Sequence, residues 1–192
     1  KFRKPVRIEK LVPDVNTENI EIYYISGYKY NRPSTYSRTA ASQALIKEIN
    51  KAKTSIDFAI YGIDGQPAIH EALVKAQKRG VNIRWVTDMD EFGKNIYFDT
   101  TKLMEDIKTV KTDYNPSELQ NIPDYKYKLA YQGALMHNKF FIFDAQKVFT
   151  GSTNISSSCI GGYNINVAVL INSKEIASLY TKEFEQMYDG KF

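Results

Sequence analysis

Two apolar segments separated by one helix limit the folds open to this chain more than any other feature. Residues 55–63 (SIDFAIYGI) and 81–87 (VNIRWVT) are rich in Ile, Val and aromatic residues, as buried strands are. Residues 64–79 predict a helix between them, with Pro67 in its first turn and Gly80 where it stops. A strand, a helix and a strand within about 33 residues predict parallel pairing through a right-handed crossover.

The rest of the chain supplies further strands and helices around this unit. Strands are predicted at residues 20–25, 139–143, 148–150 and 167–171, with a candidate at 125–131, and helices at 39–53, 100–107 and 173–187. We therefore predict an α/β fold in which helices flank a mixed β-sheet on both faces, an α-β-α sandwich. Residues 1–19 are expected to form an irregular N-terminal arm, and residues 20–192 one domain. The acidic residues within 88–93 either border a ligand site or cap a helix.

Composition excludes several classes of protein. The 192 residues are 43% hydrophobic and 25% charged, which is ordinary for one globular domain. The chain has no run of about 18 or more apolar residues, the length that a membrane-spanning helix needs. The single cysteine, Cys159, excludes an internal disulfide and a cysteine-based zinc site, and two histidines leave little room for a His-rich metal site. The net charge of +4 permits a polyanionic partner without requiring one.

Residues 136–154 (MHNKFFIFDAQKVFTGSTN) carry the candidate chemistry. His137 and Lys139 lie two apart, so their side chains project from one face at the start of a predicted strand. The Lys139 ammonium could stabilise the non-bridging oxygens of a phosphodiester, and the Asn154 amide could donate hydrogen bonds to the same oxygens. The Ser152 hydroxyl could donate to the phosphate or brace the histidine. Neutral His137 could attack phosphorus.

This pattern resembles the motif of the phospholipase D superfamily. The first part of that motif is HxKxxxxD, which is matched by His137, Lys139 and Asp144. The second part is the downstream GSxN, which is matched by Gly151, Ser152 and Asn154. The resemblance covers most of residues 20–192. The members of the superfamily that the chain resembles are the small, nuclease-like ones. It implies the phospholipase D-like fold and a phosphodiester hydrolase that needs no metal or cofactor. In the implied reaction one histidine becomes a phosphohistidine, and a second histidine protonates the leaving oxygen.

The resemblance also implies roles for single residues. His137 is then the nucleophile or the acid, Lys139 and Asn154 hold the phosphate, and Asp144 supports the motif structurally. Family members often carry an acid before the last strand to orient the histidine, and Asn164 is the expected match here. Its amide would stabilise an imidazolium less than a carboxylate does.

The chain has one copy of the motif, although the implied reaction uses two. His70 has no lysine two residues later and is expected on the surface of a helix. Either two chains form a homodimer with the active site at the two-fold axis, or this chain, which starts at Lys1, is one half of a longer two-motif protein. We favour the homodimer.

The leading hypothesis for the substrate is single- or double-stranded DNA or RNA, cleaved by a low-specificity endonuclease. Basic residues interleaved with tyrosines within 1–10, 28–38 and 126–128 could contact phosphates and stack on bases. The alternative is a phospholipid, cleaved or transferred by a lipid phosphodiesterase or phosphatidyltransferase, although no basic face lies opposite an apolar one. A non-catalytic nucleic-acid-binding module is the third hypothesis.

Overall fold

The fold is built on one large mixed sheet, in a computed structural model that describes residues 12–26, 32–89, 95–113 and 135–191. Its strands are β1 (Val15–Asn16), β2 (Ile20–Ile25), β3 (Ser55–Ile60), β5 (Asn82–Thr87), β6 (Val110–Thr112), β7 (Lys139–Phe143), β8 (Lys147–Gly151) and β10 (Asn166–Asn172). Within the described residues their order is β1-β2-β10-β8-β7-β3-β5-β6. A separate parallel pair joins β4 (Ile63–Asp64) to β9 (Ile155–Ser156). The strand candidate at 125–131 and the basic segments 1–10 and 126–128 lie outside the described residues.

Helices cover both faces of this sheet, as predicted. The described helices are α1 (Ala40–Lys51), α2 (Pro67–Lys78), α3 (Asp99–Asp106) and α4 (Lys174–Tyr188). Buried side chains of α1, α2 and α3 belong to one apolar cluster, and those of α4 belong to a second cluster on the opposite face. β3 and β5 pair in parallel and are joined through α2, which confirms the predicted parallel pairing. In the described part of the chain, no helix is long and apolar enough to cross a membrane.

The central strand β7 is buried on both faces. Phe141 and Phe143 point into the cluster beneath α1–α3, whereas Phe140 and Ile142 point into the cluster beneath α4. Phe141 stacks on Phe58 of the neighbouring β3, with 4.8 Å between the ring centroids. Because apolar groups cover both faces, burial of this strand fixes its position between β3 and β8.

Local signals place the helix ends close to the predicted positions. The Thr39 hydroxyl accepts a hydrogen bond from the Ser42 amide at the start of α1, and it donates to the Ile160 carbonyl at 2.7 Å. The Ser173 hydroxyl caps α4 in the same way. Pro67 is the first residue of α2, three residues after the predicted start of that helix. Gly80 has φ 89°, which suits glycine after a helix.

Two expectations need correction. His70 was expected on the surface, but it is buried, and its Nε2 lies 2.7 Å from a carboxylate oxygen of Asp106. The face of α2 that carries His70 packs towards the end of α3, which a single-helix pattern does not reveal. Within the predicted N-terminal arm, Val15 and Asn16 pair with β2 instead of remaining irregular.

Asp144 joins the β7–β8 turn to the start of β3. Its carboxylate accepts hydrogen bonds from the backbone amides of Lys53, Thr54 and Ser55, at 2.7 to 3.1 Å, and from the Thr54 hydroxyl at 2.8 Å. Burial alone would raise the pKa of Asp144, but these hydrogen bonds outweigh it and hold the pKa below its ordinary value. The residue has φ 52°, a conformation that aspartate and asparagine tolerate better than most residues.

Replacing Asp144 by Ala is expected to lower the free energy of unfolding by about 2 kcal/mol near neutral pH, because several donors lose a charged acceptor. Asp144→Asn is the matched control, since asparagine also tolerates positive φ and keeps one acceptor oxygen. Because folding lowers the pKa of Asp144, the stability that its charge adds is complete well above about pH 3.9 and is lost as the pH falls through the folded-state pKa. Urea unfolding of wild type and Asp144→Asn at neutral and acidic pH measures this. A difference that does not shrink in acid would contradict the expectation.

Candidate active site

One edge of the main sheet collects both parts of the sequence motif. β3 and β5 end at this edge, and β7 begins there because it runs antiparallel to β3, with Lys139 paired to Ile60. β8 ends and β10 begins at the same edge, where Gly151 pairs with Ala168. The segment that precedes β7 and the segment that follows β8 therefore lie at the same edge of the sheet.

His137 lies exposed at this edge, just before β7. Its imidazole meets the Tyr61 ring edge-on, with 5.6 Å between the ring centroids and 67° between the ring planes. Partial burial lowers the pKa of His137, and the positive charge of Lys139 lowers it further. The imidazole is therefore more readily neutral, and the neutral form is the one that can attack phosphorus.

Lys139 is the first residue of β7 and is half-buried. Its ammonium donates a hydrogen bond to the backbone carbonyl of His137 at 2.6 Å. Burial lowers the pKa of Lys139, and the nearby Cys159 partly offsets that effect. The cation thus lies against the backbone of the residue that carries the imidazole.

Two carboxylates hold the backbone immediately before His137. The Met136 amide donates to Asp88 at 2.9 Å and to Asp113 at 3.1 Å. Asp113 also accepts a hydrogen bond from the Met89 amide at 2.9 Å. Asp88 therefore supports the site from within the protein instead of bordering an open ligand site. In the residues that the structure describes, no group of three or more His, Cys, Asp or Glu is arranged to hold a metal ion.

Gly151 and Ser152 fasten the end of β8 to the start of β10. A Cβ atom on Gly151, which has φ 145°, would lie 2.2 Å from the Val167 carbonyl oxygen, so the close approach of these strands requires glycine. The Ser152 hydroxyl accepts from the Val167 amide at 3.1 Å and donates to the Asn166 side chain at 3.0 Å. Ser152 therefore holds the start of β10, next to the point at which Gly151 pairs with Ala168.

Asn166, and not Asn164, is the amide that contacts Ser152. Asn164 is exposed, and its side-chain nitrogen lies 3.6 Å from the sulfur of Cys159. Asn164 was predicted from its position before a last strand expected to begin at residue 167, and that strand begins at Asn166. The role of Asn164 as the group that orients His137 stays a prediction.

Asn154 reaches the site from the loop after β8. Its side-chain nitrogen lies 3.3 Å from the Tyr97 hydroxyl, and its side-chain oxygen is buried without a hydrogen-bond partner among the described residues. Tyr97 meets Tyr61 edge-on at 5.4 Å between ring centroids. Burial raises the pKa of Tyr97, so its phenol stays protonated and can donate as well as accept.

Buried Asn95 holds the segments that carry both tyrosines. Its side-chain nitrogen donates to the carbonyls of Tyr61 and Asp88 at 2.6 and 2.8 Å, and its oxygen accepts from the Tyr97 amide at 2.8 Å. Sequence reasoning missed these residues. Tyr61 could have been found from its place directly after the buried strand 55–60, whereas Tyr97 follows no comparable signal.

Exposed apolar side chains lie next to the site residues along the chain. We call them the apolar rim: Ile96, Phe98, Leu135, Tyr163 and Ile165. Phe98 and Ile165 are 86% and 85% exposed, the highest values among the large apolar side chains of the described residues.

Comparison with known families decides the class. A family model described as "Cardiolipin synthase, PLD-like domain" matches residues 45–188, which is more than half of the chain. The chain belongs to the phospholipase D superfamily. Within this superfamily it is a phosphodiester hydrolase with a mixed sheet between helices, as the motif predicted.

Individual members of the phospholipase D superfamily are similar over most of the chain. A phospholipase D of Rickettsia prowazekii is 28% identical over 172 residues, which cover 88% of this chain and 74% of the relative. A mitochondrial cardiolipin hydrolase of Homo sapiens is 25% identical, over 78% of this chain and 52% of that protein. The crystal structure of Nuc from Salmonella typhimurium, a phospholipase D family member, has a TM-score of 0.64 and 25% identity, covering 90% of this chain and 95% of that one.

Replacing Lys139 by Gln is expected to raise the pKa of His137 without restoring its ordinary value, because the charge is removed while the larger effect, burial, remains. NMR titration of the two imidazoles measures this shift. His70 is the internal control, because it is paired with Asp106 and lies in the contact between α2 and α3. An unchanged or lowered pKa of His137 would show that Lys139 does not act on the imidazole.

Proposed function

We propose that this chain cleaves phosphodiester bonds in nucleic acid through a phosphohistidine formed on His137. The observation that carries the proposal is the set of three groups at one open sheet edge: a readily neutral imidazole, the half-buried ammonium of Lys139 and the amide of Asn154. Displacement at phosphorus needs a nucleophile, a cation and hydrogen-bond donors for the non-bridging oxygens, and these residues can provide all three.

The first step forms a bond between a His137 nitrogen and phosphorus and breaks the bond to the leaving oxygen. His137 of a second copy gives its proton to that oxygen. Water then attacks phosphorus, its proton passes to the second imidazole, and the P–N bond breaks. Both histidines regain their starting states, so the protons balance. Lys139 and Asn154 stabilise charge on the non-bridging oxygens in both steps.

We favour a homodimer as the source of the second histidine. The chain has one HxKxxxxD motif, and the reaction uses two histidines of opposite protonation state. The apolar rim supports this arrangement, because an interface at the two-fold axis would remove Phe98 and Ile165 from water.

A basic loop beside the site supports nucleic acid as the substrate. Arg32 and Arg38 flank Tyr36, which is 72% exposed and free to stack on a base. The Ser34 amide donates to the Ser157 carbonyl at 2.9 Å, which fastens this loop beside the segment that carries Asn154. Cationic side chains at that position would attract a polyanionic backbone, and the net charge of +4 acts in the same direction.

A phospholipid is the second candidate substrate. The apolar rim favours it, because exposed aromatic and aliphatic side chains that neighbour the site residues along the chain could enter a lipid surface. The relatives named phospholipase D and mitochondrial cardiolipin hydrolase agree with this alternative.

A substrate panel in the presence of EDTA tests the proposal. Plasmid DNA, single-stranded DNA and RNA are expected to be cleaved, with rates that fall as salt screens the phosphate contacts, whereas cardiolipin vesicles are expected to stay intact. His137→Asn should lose about 10³-fold or more of the turnover and still bind nucleic acid, because only the nucleophile is removed. Cleavage of the vesicles alone would replace nucleic acid by lipid as the substrate. Complete loss of activity in EDTA would contradict a metal-free reaction.

The composite site predicts that a mixed dimer is inactive. Wild type and His137→Asn are co-expressed with different tags, and the heterodimer is purified through both tags. Its activity should equal that of the His137→Asn homodimer, because one active site needs both histidines. Independent sites would retain about half of the wild-type activity. A heterodimer with Tyr188→Phe is the control and should be fully active, since the Tyr188 hydroxyl donates to the Thr109 carbonyl and, within the described residues, to none of the site residues. An active monomer in sedimentation would also refute the composite site.

A further inference from the structure

We propose that Tyr36 forms a subsite that stacks on an unpaired base and so favours single-stranded nucleic acid, an inference that rests on the proposed function. Tyr36 belongs to the basic loop, residues 32–39, and is the most exposed tyrosine in the described part of the chain. Ser34, Ser37 and Thr39 of the same loop are buried. The basic loop is therefore packed against the protein and yet leaves its one aromatic ring in solvent.

Hydrogen bonds fix the backbone on both sides of the Tyr36 side chain. The Tyr36 amide donates to the Ser34 hydroxyl at 3.2 Å, and the Tyr36 carbonyl accepts from the Arg38 amide at 2.7 Å. The Arg38 guanidinium donates to the Arg32 carbonyl at 2.8 Å and so joins the two ends of the basic loop. A ring on a fixed backbone loses less conformational entropy on binding than a ring on a free loop, which favours stacking at this position.

Further bonds hold the basic loop against the segment that follows Asn154 and β9. The Ser34 amide donates to the Ser157 carbonyl at 2.9 Å, and the Thr39 hydroxyl donates to the Ile160 carbonyl at 2.7 Å. The loop is thus attached at both of its ends to residues 157–160. These residues begin only three positions after Asn154, the last residue of the GSxN element.

Residues 157–160 also reach the ammonium of the site. Burial lowers the pKa of Lys139, and Cys159 is close enough to that ammonium to offset part of the effect. One short segment therefore contacts the basic loop and approaches Lys139. A polynucleotide with one phosphate at Lys139 can extend along this segment and bring a neighbouring base to Tyr36.

An exposed aromatic ring distinguishes unpaired bases from paired ones. In a duplex the neighbouring base pairs cover both faces of each base, whereas an unpaired base can offer a face to an aromatic side chain. Every base has such a face, so stacking on Tyr36 agrees with low sequence specificity. Arg32 and Arg38 can attract the phosphates of either form. Tyr36 therefore supplies the contact that only a single strand can make.

Binding of three ligands tests the inference. They are a thymidine oligonucleotide of about 12 nucleotides, an abasic strand of the same length and a duplex of that length. Fluorescence anisotropy measures their affinities at one salt concentration, in a His137→Asn background that prevents cleavage. Tyr36→Leu should weaken binding of the thymidine strand about tenfold and leave the abasic strand and the duplex unaffected, because leucine keeps apolar bulk without a stacking face. Tyr36→Phe is the matched control, and it should bind all three ligands as the Tyr36 protein does.

The inference is wrong if Tyr36→Leu weakens all three ligands equally or leaves the thymidine strand unaffected. It is also wrong if Tyr36→Phe loses as much affinity as Tyr36→Leu, because the aromatic face is then not the group that binds. The protein with Tyr36 intact covers a variant that does not fold. It should bind the thymidine strand about tenfold more tightly than the abasic strand, and equal affinities would overturn the inference.

The proposed function is decided by a different measurement. If wild type cleaves nucleic acid but Tyr36→Leu binds the thymidine strand normally, the inference fails and the proposed function stands. If wild type binds the thymidine strand through Tyr36 but cleaves no nucleic acid, the proposed function fails and the base-stacking subsite stands. A protein that binds none of the three ligands would overturn both.

Discussion

The antiparallel placement of β7 beside β3 is the constraint on which the site depends. Because β3 and β5 are parallel and β7 opposes them, the start of β7 lies where those strands end. A shift of one residue between β7 and β3 would turn Lys139 towards α4 and move Phe141 out of its stack on Phe58. Burial of aromatic side chains on both faces therefore maintains the position of the ammonium as well as the fold.

Carboxylates hold this short strand at both ends. Asp144 binds three backbone amides at the end far from the site, whereas Asp88 and Asp113 share the Met136 amide at the end beside it. Charged acceptors make stronger hydrogen bonds to backbone amides than neutral ones do. The aspartate of the motif thus acts through backbone geometry, at the end of β7 opposite to the imidazole. Together the three carboxylates limit movement of the strand along its own axis.

The sequence predicted what is encoded locally and missed what is brought together in space. The crossover across α2, the β7–β8 hairpin and the cap at Ser173 follow from hydrophobic period and turn chemistry, which act over a few residues. Tyr97 and Asp113 reach the site through contacts between distant segments, and no local pattern marks them. The last strand begins at Asn166, one residue before its predicted start, a typical difference at element boundaries.

Symmetry places a further condition on the proposed dimer. Two copies of His137 related by a two-fold axis have the same surroundings, so the protein alone cannot make one the nucleophile and the other the acid. The Lys139 charge and partial burial both lower the pKa of His137, and a second imidazolium nearby would be disfavoured further by like charge. In the proposed dimer these effects disfavour the state in which both imidazoles carry a proton. In the proposed reaction the bound phosphodiester would break the symmetry, because the histidine nearer the leaving oxygen would be the one that donates a proton to it. In the proposed dimer, chemistry that needs two different groups would thus follow from one residue type, with the substrate assigning the roles.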